Sequence, residues 1–148
     1  MRLPLGDVFD KVRNAQKKEE KIEVLRRNAS PALWYVLQLA FGKTVWMLPE
    51  DAPPYKPWRG AIGSSPNELS RELRRLYLFL EGGNNNLTRL RREKMFQNLL
   101  EGLDTNEVEL LLSVKDKRLD KVYKCTRKLV EEVFPGLLDA PFSIHFKK

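Results

Sequence analysis

The chain has 148 residues, 42% of them hydrophobic, and a formal net charge of +7, which supplies apolar material for one compact core and favours polyanionic partners. Its one cysteine, Cys125, and one histidine, His145, exclude an internal disulfide and a zinc cluster of the Cys/His type. The opening MRLPLGDVFDKV has no apolar leader and no run approaches the ~18–20 apolar residues of a membrane span, so a cytoplasmic protein without membrane attachment is expected.

Leu5, Val8, Phe9 and Val12 recur three and four apart and predict a first amphipathic helix. A second runs through Ile22, Val24 and Leu25 and stops at Asn28. Ser30-Pro31, a capping side chain with proline at the first helical position, opens a third, ALWYVLQLAFG, which is nearly all apolar until Gly42. Residues 43–64 change character. Pro49, Pro53, Pro54 and Pro57 lie among Trp46, Tyr55 and Trp58, forbid a long helix, and predict an irregular loop whose aromatics serve packing or a protein partner.

Ser65-Pro66-Asn67-Glu68 reads as a capping box for a fourth helix through Leu69, Leu73, Leu76, Tyr77 and Leu80, ended by Gly82-Gly83. A fifth is expected from about Leu87 to Leu100, with Leu87, Leu90, Met95, Phe96, Leu99 and Leu100 in the core. A second capping box, Asp104 to Glu107, opens a sixth helix. The last begins after Asp120 and carries Tyr123, Cys125, Leu129 and Val133 to a stop at FPGLL, leaving a tail over 139–148. The pattern predicts an all-α fold of about seven helices in one domain over 1–148.

Catalytic chemistry finds little support. Gly42-Lys43-Thr44 resembles the end of a phosphate-binding loop, but Leu37 stands where that motif needs its first glycine. A nucleophilic pair would require His145, which lies in the tail. Glu107, Glu109, Glu131 and Glu132 are expected at helix starts or on solvated faces, Cys125 as a small packing residue, and Trp34 and Tyr35 in the core. No enzymatic activity, metal or cofactor is expected.

The basic residues are more informative. Arg71, Arg74 and Arg75 lie three and four apart on the fourth helix. The stretch EGGNNNLTRLRREK then sets glycines and asparagines, suited to a sharp turn with exposed N–H groups, before Arg89, Arg91, Arg92 and Lys94. Arginine early in a helix opposes the positive end of the macrodipole, and a phosphate there reverses that penalty. A second group, Lys115, Lys117, Arg118, Lys121 and Lys124, spans the next inter-helix junction. Together the two clusters predict contacts to two stretches of one nucleic-acid backbone.

Helix order and local phrases, among them LSRELRRLYLFLEGG, NLTRLRREKMFQNLLEGLDTNEVELLLSVKDKRLDKVYK and the closing Phe134-Pro135-Gly136-Leu137, resemble the N-terminal DNA-binding domain of ATP-dependent DNA ligases, especially those of large tailed phages. The resemblance covers about Val8 to Leu138. It implies a stand-alone helical phage module that lies along the minor groove of duplex or nicked DNA and touches phosphates through helix N-termini and basic turns. By that likeness Gly83, Asn84, Asn85, Asn86, Thr88 and Arg89 match one contact region, and Lys115, Lys117 and Arg118 another. The ligase lysine motif is missing, because Asp-Gly occurs nowhere in the chain, so nick sealing is not expected. The alternative is an accessory protein of phage replication, transcription or virion assembly that docks a phage or host protein through Trp46, Tyr55 and Trp58.

Overall fold

The computed structural model describes residues 3–61 and 63–144, so His145 lies outside the described residues. The fold is all-α and compact. Among the described residues eight α-helices follow in order: α1 (Leu5–Asn14), α2 (Lys18–Arg27), α3 (Pro31–Phe41), α4 (Leu69–Glu72), α5 (Arg89–Glu101), α6 (Thr105–Lys115), α7 (Leu119–Tyr123) and α8 (Arg127–Val133). Two 3-10 helices, Leu73–Phe79 and Leu137–Asp139, complete the set. The only β pairing among the described residues is one antiparallel bridge, Trp46 to Leu80.

Helix α6 lies at the centre, packed on α1, α3 and α7. Val108, Leu110, Leu111, Ser113 and Val114 are all buried along it. α1 contributes Val8, Phe9 and Val12, and Phe9 meets Tyr123 of α7 edge-on at 5.7 Å. α3 starts as its sequence dictates, with the Ser30 hydroxyl accepting from the Leu33 N–H at 3.1 Å. It then buries Leu33, Tyr35, Val36, Leu37 and Leu39. Burying each such side chain contributes about 1.5–3 kcal/mol.

The fourth and seventh expected helices depart from their sequence signals. The fourth is a single α turn that tightens into 3-10 helix, because Ser65 bonds the Asn67 carbonyl instead of capping and Glu68 makes no capping bond. The seventh is broken in two. Lys124 takes a left-handed conformation (φ 57°), Cys125 is buried between the two helices, and Thr126 caps α8 by accepting from Leu129 N–H. The tail is fastened as far as residue 144. Gln38, buried in α3, donates to the carbonyls of Leu137 and Pro141 at 3.1 and 3.0 Å and accepts from Ser143 N–H at 2.9 Å.

Glu107 departs furthest from expectation. It is only 3% exposed rather than solvated, and it does not close a capping box on its own helix. One carboxylate oxygen accepts from Gly6 N–H at 3.2 Å and the other from Leu69 N–H at 2.9 Å. A single carboxylate thereby satisfies free donors at the starts of α1 and α4 from the first turn of α6. Burial pushes its pKa up, against the two amide bonds that pull it down.

Glu107→Gln leaves one amide without an acceptor and should lower the unfolding free energy by about 1–3 kcal/mol in urea titrations. Because the folded state holds this proton more tightly than the unfolded one, the support from Glu107 is fullest at low pH. It fades as pH rises from the ordinary glutamate value of ~4.3 through the raised folded value. The stability gap between wild type and E107Q should narrow across that interval, and a widening gap would reverse the assignment. Separately, Gln38→Ala should speed exchange of the Ser143 amide by about tenfold or more while leaving α6 protected.

Candidate nucleic-acid interface

The Gly/Asn turn is built by close approach and local capping. Gly82 has φ 82°, and a Cβ on Gly83 would collide with the Tyr77 carbonyl oxygen. Asn84 folds the next step by accepting from Asn86 N–H through its side chain at 3.0 Å and from Leu87 N–H through its carbonyl at 3.3 Å. Thr88 caps α5, its hydroxyl accepting from Arg91 N–H at 3.2 Å. The N–H groups of Arg89 and Leu90 remain unbonded at the α5 start among the described residues. The Asn86, Leu87 and Arg91 amides are therefore satisfied internally, while those of Asn84, Asn85 and Thr88, like the two at the α5 start, have no partner among the described residues.

The arginines of α5 divide. Arg89 and Arg91 are exposed, and Arg89 has a loose carboxylate neighbour, Glu93, at 3.6 Å. An exposed pair of that length contributes little. Arg92, expected in the same contact, is instead buried: it donates to the Leu87 carbonyl at 3.0 Å, and its Nε is enclosed without a partner. Leu90, expected in the core, is 80% exposed. Arg71 and Arg75 have glutamates three residues away at 3.6 and 3.5 Å, also on exposed faces.

The second basic group divides the same way. Lys115 is 5% exposed, and its amine donates to the Pro49 carbonyl at 2.7 Å and to the Asp116 carboxylate. Lys117 takes a left-handed turn (φ 57°) and donates to the Leu39 carbonyl at 2.6 Å and the Thr44 hydroxyl at 3.1 Å. It closes the carbonyl end of α3, where Arg127 also donates to Phe41 O at 2.6 Å. Cations suit that end of a helix. Burial lowers the Lys117 pKa. Arg118, Lys121 and Lys124 are exposed.

The two turns are fastened to consecutive residues. Thr44 receives Lys117, while the Val45 carbonyl accepts from Glu81 N–H at 2.8 Å and Met47 N–H donates to Phe79 O at 2.7 Å. The entrance to the Gly/Asn turn and the Lys117 turn thus flank one extended segment. Neighbouring Cα atoms are only ~3.8 Å apart, so the anchor points of the two turns are adjacent.

The loop aromatics do not form an exposed cluster. Trp46 and Tyr55 are partly buried against the core, and Trp58 is half-buried with its indole nitrogen enclosed. Cys125 is sealed, and burial pushes its thiol up to about 12, which leaves it a packing group rather than a nucleophile. No helix among the described residues is long and apolar enough to cross a membrane.

Lys115→Met and Arg92→Met should each lower the unfolding free energy by about 1–3 kcal/mol through orphaned buried partners. Arg89→Met and Arg91→Met should stay within about 0.5 kcal/mol, as exposed substitutions do. Urea titration of the four variants checks the division.

No curated protein and no solved structure matches the chain. A family model matches residues 8–121, which spans α1 to the start of α7. The chain belongs to that family, the family of unknown function DUF6433.

Proposed function

We propose that this protein is a non-catalytic, largely sequence-nonspecific DNA-binding module that contacts duplex phosphates through the Gly/Asn turn, the start of α5 and the basic turn before α7. The observation that carries this reading is the shared anchorage of the two turns on Thr44 and Val45. Around it stand exposed Asn85, Asn86, Arg89, Arg91, Arg118 and Lys121, with the two unbonded amides of α5. Amides at a helix start and guanidinium groups on the same turn suit a phosphate. The likeness to the ligase DNA-binding domain agrees with such a role.

The contact set is narrower than the sequence suggests. Arg92 and Lys115 shape the fold from inside, and the Lys117 amine is committed to α3 and Thr44. Gly83, Asn84 and Thr88 serve by shaping the turn. Docking of a protein through Trp46, Tyr55 and Trp58 has less behind it, since Trp46 and Tyr55 already pack on the core.

Replacing Arg89 and Arg91 together by glutamate should weaken binding to a labelled duplex by at least about tenfold at low salt, with the slope of log K against log[salt] falling by ~2. The melting temperature should hardly move. Fluorescence anisotropy across a salt series, with nicked duplex, intact duplex, single strand and RNA in parallel, reads the result. Equal binding by wild type and the double variant defeats the proposal.

A further inference from the structure

A groove of about 400 Å³ lies between α5 and the proline-rich segment 48–54. Its apolar lining includes Leu48, Pro53, Leu90 and Phe96. Leu90 is 80% exposed, and the two other exposed large hydrophobics among the described residues, Val45 and Met47, lie on the adjoining stretch of the same loop. Apolar surface gathered in one place on a charged protein marks a contact site.

The charge at the rim opposes that of the whole. On a chain of net charge +7, the groove is bordered by Glu50, Asp51 and Glu93, with Lys94 as its one cation. Glu50 and Asp51 are exposed and have no ion pair among the described residues. An acidic lip repels phosphate and attracts lysine or arginine.

The wall is also held in place before anything binds. Lys115 holds the Pro49 carbonyl from inside, and the Glu101 carboxylate accepts from Lys56 N–H at 2.9 Å. Between these anchors Pro53 and Pro54 fix their own backbone angles, and Asp51 turns the chain with φ 63°. A preformed wall lowers the ordering cost of binding.

We propose that this groove docks a peptide segment of a partner protein that presents two apolar side chains flanked by lysine or arginine. The volume is at the small end of ligand sites, enough for side-chain anchors rather than a large ligand. The apolar floor takes the anchors and the Glu50/Asp51 lip takes the basic flank. This site adjoins the proposed DNA contact at Leu90, which lies between Arg89 and Arg91, but it works through the opposite charge and its test uses no nucleic acid.

The test pans a random twelve-residue peptide library against the full chain, then measures anisotropy of enriched, labelled peptides. Expected are sequences with paired apolar residues and basic flanks. Their affinity should fall at least about tenfold, the size of loss that marks removal of a principal contact, in Glu50→Gln/Asp51→Asn, in Leu90→Ser, and when the peptide's basic residues become glutamate. Asparagine tolerates the left-handed angle at 51, and all three positions are exposed, so folding of the variants is checked by thermal melts. Absence of enrichment, enrichment of acidic or uncharged peptides, or binding indifferent to these changes overturns the proposal. So does a concentration-dependent dimer in sedimentation that Leu90→Ser abolishes, which assigns the groove to a second copy.

Discussion

The fold depends on one buried carboxylate. Glu107 sits where the first turns of α1, α4 and α6 meet, and it accepts a backbone N–H from each of the two partner helices. Asn106 beside it donates to Asp7 of α1 at 2.7 Å, and the space above Gly6 is already filled by the Asn106 side chain. Segments 101 and 38 residues away in sequence are thus brought to adjacent side chains. The consequence reaches the proposed interface. The placement of α4 sets the 3-10 helix that follows, and the end of that helix pairs with Val45 and Met47 to position the Gly/Asn turn.

Cations bonded to backbone carbonyls perform a second kind of work. Lys117 and Arg127 meet the free carbonyls at the end of α3, and Lys115 meets the Pro49 carbonyl. Each gives a carbonyl acceptor a charged donor, which is stronger than a neutral one. Part of the positive charge is therefore structural. A tally of lysine and arginine overstates the surface that a polyanion would meet, and the exposed remainder around Asn85, Arg89, Arg91 and Arg118 is the better measure.

The sequence makes the first three helices legible because their signals are local: Ser30-Pro31 announces α3, and the three- and four-residue spacing of Leu5, Val8, Phe9 and Val12 announces α1. Legibility fails where a partner distant in the chain decides. On α5 the buried residues are Arg92, Phe96, Leu99 and Leu100, one helical stripe in which an arginine occupies the place of an apolar residue. Reading Leu90 by its hydrophobicity shifts the phase and exchanges the two. Lys115 follows the same rule, four residues beyond Leu111 and seven beyond Val108 on the buried side of α6. Spacing held the signal for both, and residue type masked it. The break at Lys124 had no comparable signal, since neither glycine nor proline marks it.

Gln38 holds residues 137–143 by an amide that bonds main-chain groups and no side chain. Such a clasp is indifferent to the letters it holds. The segment beyond α8 can therefore diverge among relatives while keeping the same path, as long as the glutamine persists. Kinship here would be written in one distant position rather than in the strand of chain that it retains.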